Sequence, residues 1–479
     1  MSGRSVGFMP RLAAGAAVAV AALGAVAAPA GAWGGWSGGS GGSTLTPFSQ
    51  PLTIPPVLQP SRTDATTDYY NVNIQSATAN IISGKTTPVW TYNGSFPGPT
   101  IVANKGRPVS VHVTNQLGEA MSMHLHGGHT PSIYDGLPND LVAFGASKDY
   151  NYPSTESART MWYHDHARDV TARHVWNGLA GMYILHDAQE QALNLPSGAY
   201  DVPLIMLNRA FNSDGTMPYQ DGSGDTMLVN GVPQPYMKVE ARKYRFRMLN
   251  ASNDDFYEMS LSNSQAMLQV ANEGGLLPSP VSRTRVDLTP AERADVVIDF
   301  SKVAVGTSVK LSSGNSWRSG GDMMRFDVVA PTGTDTSTVP ATLKGPMAKL
   351  SPTGAPARTF TLDRGYGSGG RWQINGHGYD TSIYDAQPKL GGIEVWTFQN
   401  NTGDDHPLHV HDVNFQVIST NGSAPSGADA SWKETVNVPG RGSVKVIAKF
   451  DDHTGTYVFH CHRLEHEDNM MMTQFKVIP

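Results

Sequence analysis

The sequence predicts an all-β protein made of sandwich-like or barrel-like domains. Its 479 residues include 50 glycines and 32 prolines, which interrupt helices and mark turns. Apolar residues occur in short runs in which valine, threonine and aromatic residues alternate with polar ones, and this is the period of β-strands. Almost no long stretch has the 3.6-residue period of a helix. About 430 residues follow the N-terminal segment, too many for one core and suited to two to four domains.

The first 46 residues predict export and a tether. Arg4 and Arg11 precede an alanine-rich apolar stretch, Leu12–Ala28, which is followed by small-residue cleavage sites. We therefore expect a signal peptide over residues 1–32, because the stretch is marginal in length and apolarity for a lasting membrane span. The two arginines are not adjacent, so the export route stays open. Residues 33–46 are rich in glycine and serine and predict a flexible linker.

One pattern of strands and turns occurs three times in the rest of the chain. Each copy has a short strand, an Asn-Gly turn, a second short strand, a polar break and an alternating strand that ends in asparagine. The turns are at residues 93–94, 230–231 and 375–376, and the final asparagines are Asn115, Asn250 and Asn400. We predict three homologous β-domains over residues 47–186, 187–350 and 351–479.

Charge and cysteine content limit the possible partners. The net charge is −6, with no basic stripe and no run of like charge, which argues against nucleic acid or an anionic membrane surface as a partner. A small molecule or a metal is the better expectation. The single cysteine, Cys461, cannot form an internal disulfide, so an exported protein that keeps it is expected to use it for chemistry.

Four histidine motifs carry the chemistry of the sequence. They read MHLHGGH, WYHDHA, HPLHVHD and FHCHRLEH, and each contains a His-x-His pair. Side chains two apart on a strand share a face, so each pair presents two imidazoles together. The paired histidines are His124, His126, His164, His166, His409, His411, His460 and His462. Eight imidazoles exceed the needs of one metal ion and predict a small metal cluster between the first and third domains.

The middle domain lacks such motifs. No histidine occurs between His186 and His377, so we expect this domain to be chemically silent and to act as a spacer between the other two.

Cys461 predicts a second kind of metal site. By the period of two, its side chain points away from the face of His460 and His462. His406, His466 and Met471 are available as partners, and two histidines, a thiolate and a long axial methionine form a blue-copper electron-transfer site. The His-Cys-His tripeptide would then link this copper covalently to the metal cluster.

These motifs match the copper signatures of the multicopper oxidases, and the threefold repeat resembles their three cupredoxin-like Greek-key β-barrel domains. The resemblance extends over the whole chain after the linker. HLHGGHTPSIYDG and HCHRLEHEDNMMM are most similar to bacterial laccases, including spore-coat laccases, and to bilirubin oxidases.

The resemblance implies four copper ions with defined ligands. Type 1 copper would bind His406, Cys461 and His466, with Met471 axial, and type 2 copper would bind His124 and His409. One type 3 copper would bind His126, His164 and His462, and the other His166, His411 and His460.

The same resemblance implies a reaction. Electrons from a small-molecule donor, such as a phenol, an aromatic amine or a bilirubin-like pigment, would enter one at a time, and dioxygen would be reduced to water. Asp135 and Glu467 resemble acids that assist proton delivery in the family, although solvated surface acids would look the same in sequence.

Single histidines without a ligand partner are expected to be structural: His112, His174, His186, His377 and His453. His129 is expected in a surface loop, with a role that stays open.

Alternative functions differ in the donor or in the absence of catalysis. A cuprous oxidase would carry a methionine-rich segment, but the methionines are scattered apart from residues 470–472. A manganous oxidase would need carboxylates grouped near the type 1 copper. A non-catalytic cupredoxin scaffold would bind fewer than four copper ions. A copper nitrite reductase has a two-domain plan that does not fit four His-x-His motifs.

Overall fold

The computed structural model confirms the all-β prediction. It describes Met1 and residues 45–222, 224–314, 321–365 and 370–479. Strands account for 47% and helices for 7%, and residues 42–479 form one compact unit. The predicted signal peptide and nearly all of the predicted linker lie outside the described residues. Within the described part of the chain, no helix has the length and apolar character needed to cross a membrane.

The first set of strands forms two sheets. The strands are β1 (Arg62–Thr63), β2 (Asp68–Ala79), β3 (Thr87–Tyr92), β4 (Gly98–Asn104), β5 (Val109–Asn115), β6 (Met123–His126), β7 (Ser147–Tyr152), β8 (Arg159–Asp165) and β9 (Ala180–His186). One sheet has the order β1-β2-β5-β7 with β3 on β2, and the other has the order β4-β9-β8-β6. An apolar core that includes Tyr70, Tyr150 and Tyr163 lies between them. Two short helices follow β8 and β9: α1 (Thr171–Asn177) and α2 (Ala188–Gln191).

The second set also forms two sheets. Its strands are β10 (Asp201–Arg209), β11 (Thr226–Val229), β12 (Val232–Pro233), β13 (Tyr236–Glu240), β14 (Lys243–Asn250), β15 (Tyr257–Leu261), β16 (Met267–Asn272), β17 (Gly275–Arg283), β18 (Arg285–Leu288), β19 (Arg293–Asp299), β20 (Ser308–Ser313) and β21 (Gly321–Val329). The sheet orders are β12-β11-β10-β14-β19-β16-β17 and β13-β21-β20-β15-β18. Phe246 and Phe326 belong to the core between them.

The third set repeats this plan. Its strands are β22 (Ala357–Arg364), β23 (Trp372–Ile374), β24 (Gly392–Asn400), β25 (His406–Val410), β26 (Phe415–Thr420), β27 (Trp432–Lys433), β28 (Thr435–Val438), β29 (Ser443–Phe450), β30 (Gly455–Cys461) and β31 (Met472–Val477). The sheets are β23-β22-β24-β29-β26-β27 and β28-β25-β30-β31. The helix α3 (Leu464–Asp468) lies between β30 and β31. A buried cluster that includes Trp176, Ile205 and Leu464 joins residues of all three sets.

The predicted repeat has a structural counterpart in each set. The strand before each Asn-Gly turn pairs antiparallel with the first long strand, and the strand that ends in asparagine pairs parallel with it. The turn asparagines Asn93, Asn230 and Asn375 have φ angles of 53°, 52° and 54°, the left-handed backbone that asparagine and glycine tolerate.

The asparagines that end these strands are buried and close the next loop. The Nδ2 atoms of Asn115, Asn250 and Asn400 donate to carbonyl oxygens 2.7 Å away, those of Glu119, Asp255 and Asp404. Buried amides need such partners, so the threefold asparagine reflects a repeated loop closure. The predicted domain limit at residue 186 coincides with the end of β9, and the limit at residue 350 lies between β21 and β22; both stay a prediction.

Candidate metal centre

Two strand pairs bring the histidine motifs into the interior. β6 pairs with β8, which places His124 opposite His164. β25 pairs with β30, which places His409 opposite His460 and Leu408 opposite Cys461. The two pairs belong to sheets of the first and third strand sets, and their histidines meet between those sheets, as the rings of His126 and His409 stack at 3.7 Å. The cluster thus lies where the sequence predicted.

The eight paired histidines form three groups of potential ligands, and the first two share His126. The groups are His124 with His126 and His409, His126 with His164 and His462, and His166 with His411 and His460. Within each group the ligand atoms lie within 4.8 Å of one another. All eight side chains are buried.

Hydrogen bonds orient several of these rings. The Nδ1 atoms of His124, His164 and His460 lie 2.6, 2.8 and 3.1 Å from the carbonyl oxygens of Asp135, Asp165 and Cys461. An Nδ1–H that donates to a carbonyl leaves the Nε2 lone pair free for a metal ion, which is the usual outer-shell arrangement of a ligand histidine.

Most Nε2 atoms of these histidines either have no hydrogen-bond partner or face only one another. The Nε2 atoms of His124, His164 and His409 are buried without a hydrogen bond, as are both nitrogens of His462. The Nε2 atoms of His166, His411 and His460 lie 3.3 Å from one another. Converging nitrogen lone pairs in a dry interior are destabilising without a cation, so these donors fit transition-metal ions.

Burial favours the neutral form, which can bind metal, in seven of the eight cluster imidazoles. Desolvation lowers the pKa of His164 to about 3. It lowers the pKa values of six other cluster histidines well below the usual range: His124, His126, His166, His409, His411 and His462. A neutral ring is the form that ligates metals.

Cys461 lies in a separate group with His406 and His466. Its Sγ is 3.5 Å from Nδ1 of His406 and 3.7 Å from Nδ1 of His466. Burial raises the pKa of the Cys461 thiol, so a metal ion would be needed to hold the thiolate at neutral pH. Met471 and Cys461 belong to one buried apolar core, and the carbonyl oxygen of Met471 accepts a hydrogen bond from the Cys461 N–H. Trp372 packs against His466, with ring centroids 4.1 Å apart.

Asp135 and Glu467 are not solvated surface acids. Oδ2 of Asp135 is 2.7 Å from Nδ1 of His411, and burial raises the pKa of Asp135 to about 6. The two carboxylate oxygens of Glu467 lie 3.2 Å from Nδ1 of His166 and 2.9 Å from Nδ1 of His460. Both carboxyl groups therefore contact the histidine cluster directly.

The remaining histidines each pair with a carboxylate. These are His112 with Asp149, His129 with Asp452, His174 with Asp165, His186 with Glu190, His377 with Asp385 and His453 with Asp412. Among the described residues, none of these six joins a group with metal-ligand spacing. His129 is only 13% exposed, so it is more enclosed than the predicted surface loop position.

Sequence reasoning missed Arg293 and Glu434, which lie beside His126. Glu434 Oε1 is 3.2 Å from His126 Nε2 and 2.5 Å from Arg293 Nη2. Neither residue belongs to a histidine motif, and Arg293 comes from the strand set that was expected to act as a spacer. A local feature of the sequence that is connected with them is the glycine at position 127, where an added Cβ would lie 2.7 Å from Arg293 Nη2.

Comparisons with known proteins agree with this site. Two multicopper oxidase family models match residues 73–190 and 352–479. A laccase from Bacillus stratosphericus is 34% identical over 91% of this chain and 99% of its own length. A bilirubin oxidase from Albifimbria verrucaria is 35% identical over 89% of this chain and 81% of its own length.

The fold comparison gives the same result. The crystal structure of a laccase from Pediococcus acidilactici superposes with a TM-score of 0.83 at 29% identity, covering 91% of this chain and 97% of that one. The expected cupredoxin-like fold is confirmed, and the family uses four copper ions, one of type 1, one of type 2 and two of type 3. The chain belongs to the multicopper oxidases and is a laccase-like, copper-dependent oxidoreductase with oxygen as acceptor.

Proposed function

We propose that the two sites divide the reaction between electron uptake and oxygen reduction. In this proposal His406, Cys461, His466 and Met471 would hold type 1 copper, and His124 and His409 would hold type 2 copper. One type 3 copper would be held by His126, His164 and His462, and the other by His166, His411 and His460. The observation that carries the assignment is that the histidine and cysteine ligand groups are buried and have metal-ligand spacing; Met471 shares the buried core of Cys461.

Copper ions bound at these sites would accept electrons one at a time and supply the electrons that reduce dioxygen to water. The chain contributes the connection between the two sites. Cys461 has its side chain at the type 1 group, while its neighbours His460 and His462 belong to the cluster. Cys461 is joined to each of these histidines by a single peptide bond. The side chains and this backbone therefore form a short covalent path for electrons from the thiolate to each imidazole.

The buried carboxyl groups supply protons in this proposal. Asp135 contacts His411, and Glu467 contacts His166 and His460. Reduction of one dioxygen to two waters takes up four protons. Since both carboxyl groups contact histidines of the group formed by His166, His411 and His460, each is placed to donate a proton near that group.

The donor is proposed to be a phenol, an aromatic amine or a bilirubin-like pigment. The relatives are a laccase and a bilirubin oxidase, which supports this class. His466 is 8% and Trp372 is 5% exposed, so the type 1 group is close enough to the surface for electron transfer without donor entry into the core. We also propose export, which residues 1–32 support.

A panel of donors tests this proposal. Oxygen uptake by the copper-loaded protein is measured with a methoxyphenol, bilirubin, cuprous ion and manganous ion, beside Cys461→Ser. Fast uptake with the organic donors that is absent in the variant is the expected result. Uptake confined to a metal ion would identify a metal oxidase instead. Four bound copper ions without uptake would indicate a non-catalytic scaffold.

A further inference from the structure

A buried ion pair connects the middle strand set to the histidine cluster. Arg293 begins β19, and its Nη2 lies 2.5 Å from Oε1 of Glu434. Both side chains are almost fully enclosed, with exposures of 0% and 2%. The same Glu434 oxygen is 3.2 Å from Nε2 of His126. An unpaired carboxylate at this depth would be strongly destabilising, and the guanidinium offsets its charge.

His126 is oriented differently from its neighbours. In His124, His164 and His460, an oxygen atom contacts Nδ1, so Nε2 is the nitrogen that faces the cluster. In His126 the carboxylate oxygen lies 3.2 Å from Nε2, a contact without full hydrogen-bond geometry, and Nδ1 has no polar partner. A proton on Nε2 would face this carboxylate, which leaves the lone pair of Nδ1 for a metal ion.

Two backbone carbonyl groups hold the guanidinium of Arg293 in place beside Glu434. Its Nε donates to the carbonyl oxygen of Thr160 at 3.0 Å, and its Nη1 donates to that of Ala291 at 3.0 Å. Thr160 lies on β8, the strand that carries His164, and Ala291 lies in the turn before β19. The guanidinium thus contacts the backbone of the first and second strand sets and the side chain of Glu434 in the third. Because its hydrogen-bond donors are fixed in one plane, the ion pair has little freedom to move.

The backbone beside His126 is shaped for this approach. Gly127 has φ +94°, and a Cβ at this position would lie 2.7 Å from Arg293 Nη2 and 3.1 Å from both carboxylate oxygens of Glu434. Only glycine leaves room for the ion pair directly after the ligand. The glycine in the His-x-His-Gly motif thus has a physical reason in this chain.

We propose that Arg293 and Glu434 are positioning residues for His126. The pair sets the tautomer and the ring orientation of His126, so that Nδ1 is presented to the type 3 copper. The middle strand set, expected from sequence to be a spacer, takes part in assembling the cluster. This inference rests on the proposed assignment of His126 as a copper ligand.

The test compares copper retention by Glu434→Gln with a matched control. Glu273→Gln breaks another buried ion pair between the same strand sets, in which Lys433 Nζ lies 2.9 Å from Glu273 Oε1, and Glu273 forms no ion pair with a histidine among those described. Each copper-loaded protein is titrated with a chelator while bound copper and the blue absorption are recorded. Loss of a group that orients a metal ligand typically costs about 10- to 100-fold in metal affinity.

Glutamine keeps an oxygen that can accept from His126, but it leaves the buried guanidinium of Arg293 without its anionic partner, so the position of this side chain is no longer fixed. Glu434→Gln should therefore release copper at chelator concentrations about 10- to 100-fold lower than the parent protein, with the blue absorption unchanged. Glu273→Gln should retain copper like the parent. Equal retention by both variants, or equal loss, would overturn the positioning role. If Glu434→Gln does not fold, Arg293→Lys gives the same comparison, since lysine keeps the charge but loses the fork. A parent protein that holds fewer than four copper ions would instead refute the ligand assignment beneath the inference.

Discussion

Replacing Asp135 by asparagine tests whether a buried carboxyl group supplies protons to oxygen reduction. Asp135 is 1% exposed, and its Oδ2 lies 2.7 Å from Nδ1 of His411. Asparagine keeps the size of the side chain and an oxygen that accepts from the His411 N–H. It cannot release a proton at neutral pH. The variant should therefore keep the geometry of the cluster and lose one proton source.

The structure also limits the magnitude of the effect. A positioned general acid contributes about 10²- to 10⁴-fold to a rate. Because Glu467 contacts the same cluster through His166 and His460, one proton source remains in Asp135→Asn. We therefore expect the lower limit, a fall in kcat of about 100-fold, which corresponds to about 2.7 kcal/mol in the barrier.

The assay is oxygen consumption at saturating donor, with copper content and blue absorption measured on the same sample. The KM for the donor should not change, because the donor reacts near Cys461 and not at Asp135. Asp135→Glu restores a carboxyl group and should recover part of the rate. A kcat within a few-fold of the parent value, or a loss of copper that parallels the loss of rate, would refute the proton-supply role.

Three other perturbations have defined outcomes. Met471→Leu should keep four copper ions, because leucine fills a similar volume. It should raise the reduction potential of the type 1 copper in a redox titration, because it removes the axial sulfur. An unchanged potential would exclude Met471 as the axial ligand. Asp295→Ala removes one of three carboxylates around Arg245 and Arg247, while Glu190 and Asp201 remain, and should lower the free energy of unfolding of the copper-free protein by about 1–3 kcal/mol in denaturant titrations. Removal of copper by a chelator should lower the Tm, because copper binds the folded state; an unchanged Tm would contradict this.

The sequence was sufficient to predict the fold because its signals are local. Asn93 and Gly94 determine a turn by their own backbone preferences, and the asparagine that ends the next strand closes a loop within a few residues. The same pattern occurred three times, so one local rule predicted most of the strand arrangement. The domain limits were harder to predict, since the connections near residues 186 and 350 carry only compositional signals.

The opposite placement of Cys461 and its two neighbouring histidines was predictable for a related reason. The period of two places His460 and His462 on one face and Cys461 on the other, and this depends only on strand geometry. Arg293 and Glu434 could not be found in this way, because they meet His126 only after all three strand sets pack together. Their spacing in sequence carries no period, and a buried arginine and glutamate look like surface residues until tertiary contacts are known.

The ratio of donor oxidised to dioxygen consumed tests the central claim most directly. It is measured with a one-electron donor, an oxygen electrode and a peroxide assay, for the parent protein and for Cys461→Ser. We predict four donors oxidised per dioxygen without peroxide for the parent, and no donor-driven uptake for the variant. Two donors per dioxygen with peroxide released, or undiminished uptake by Cys461→Ser, would contradict a cluster that reduces dioxygen to water with electrons received through Cys461.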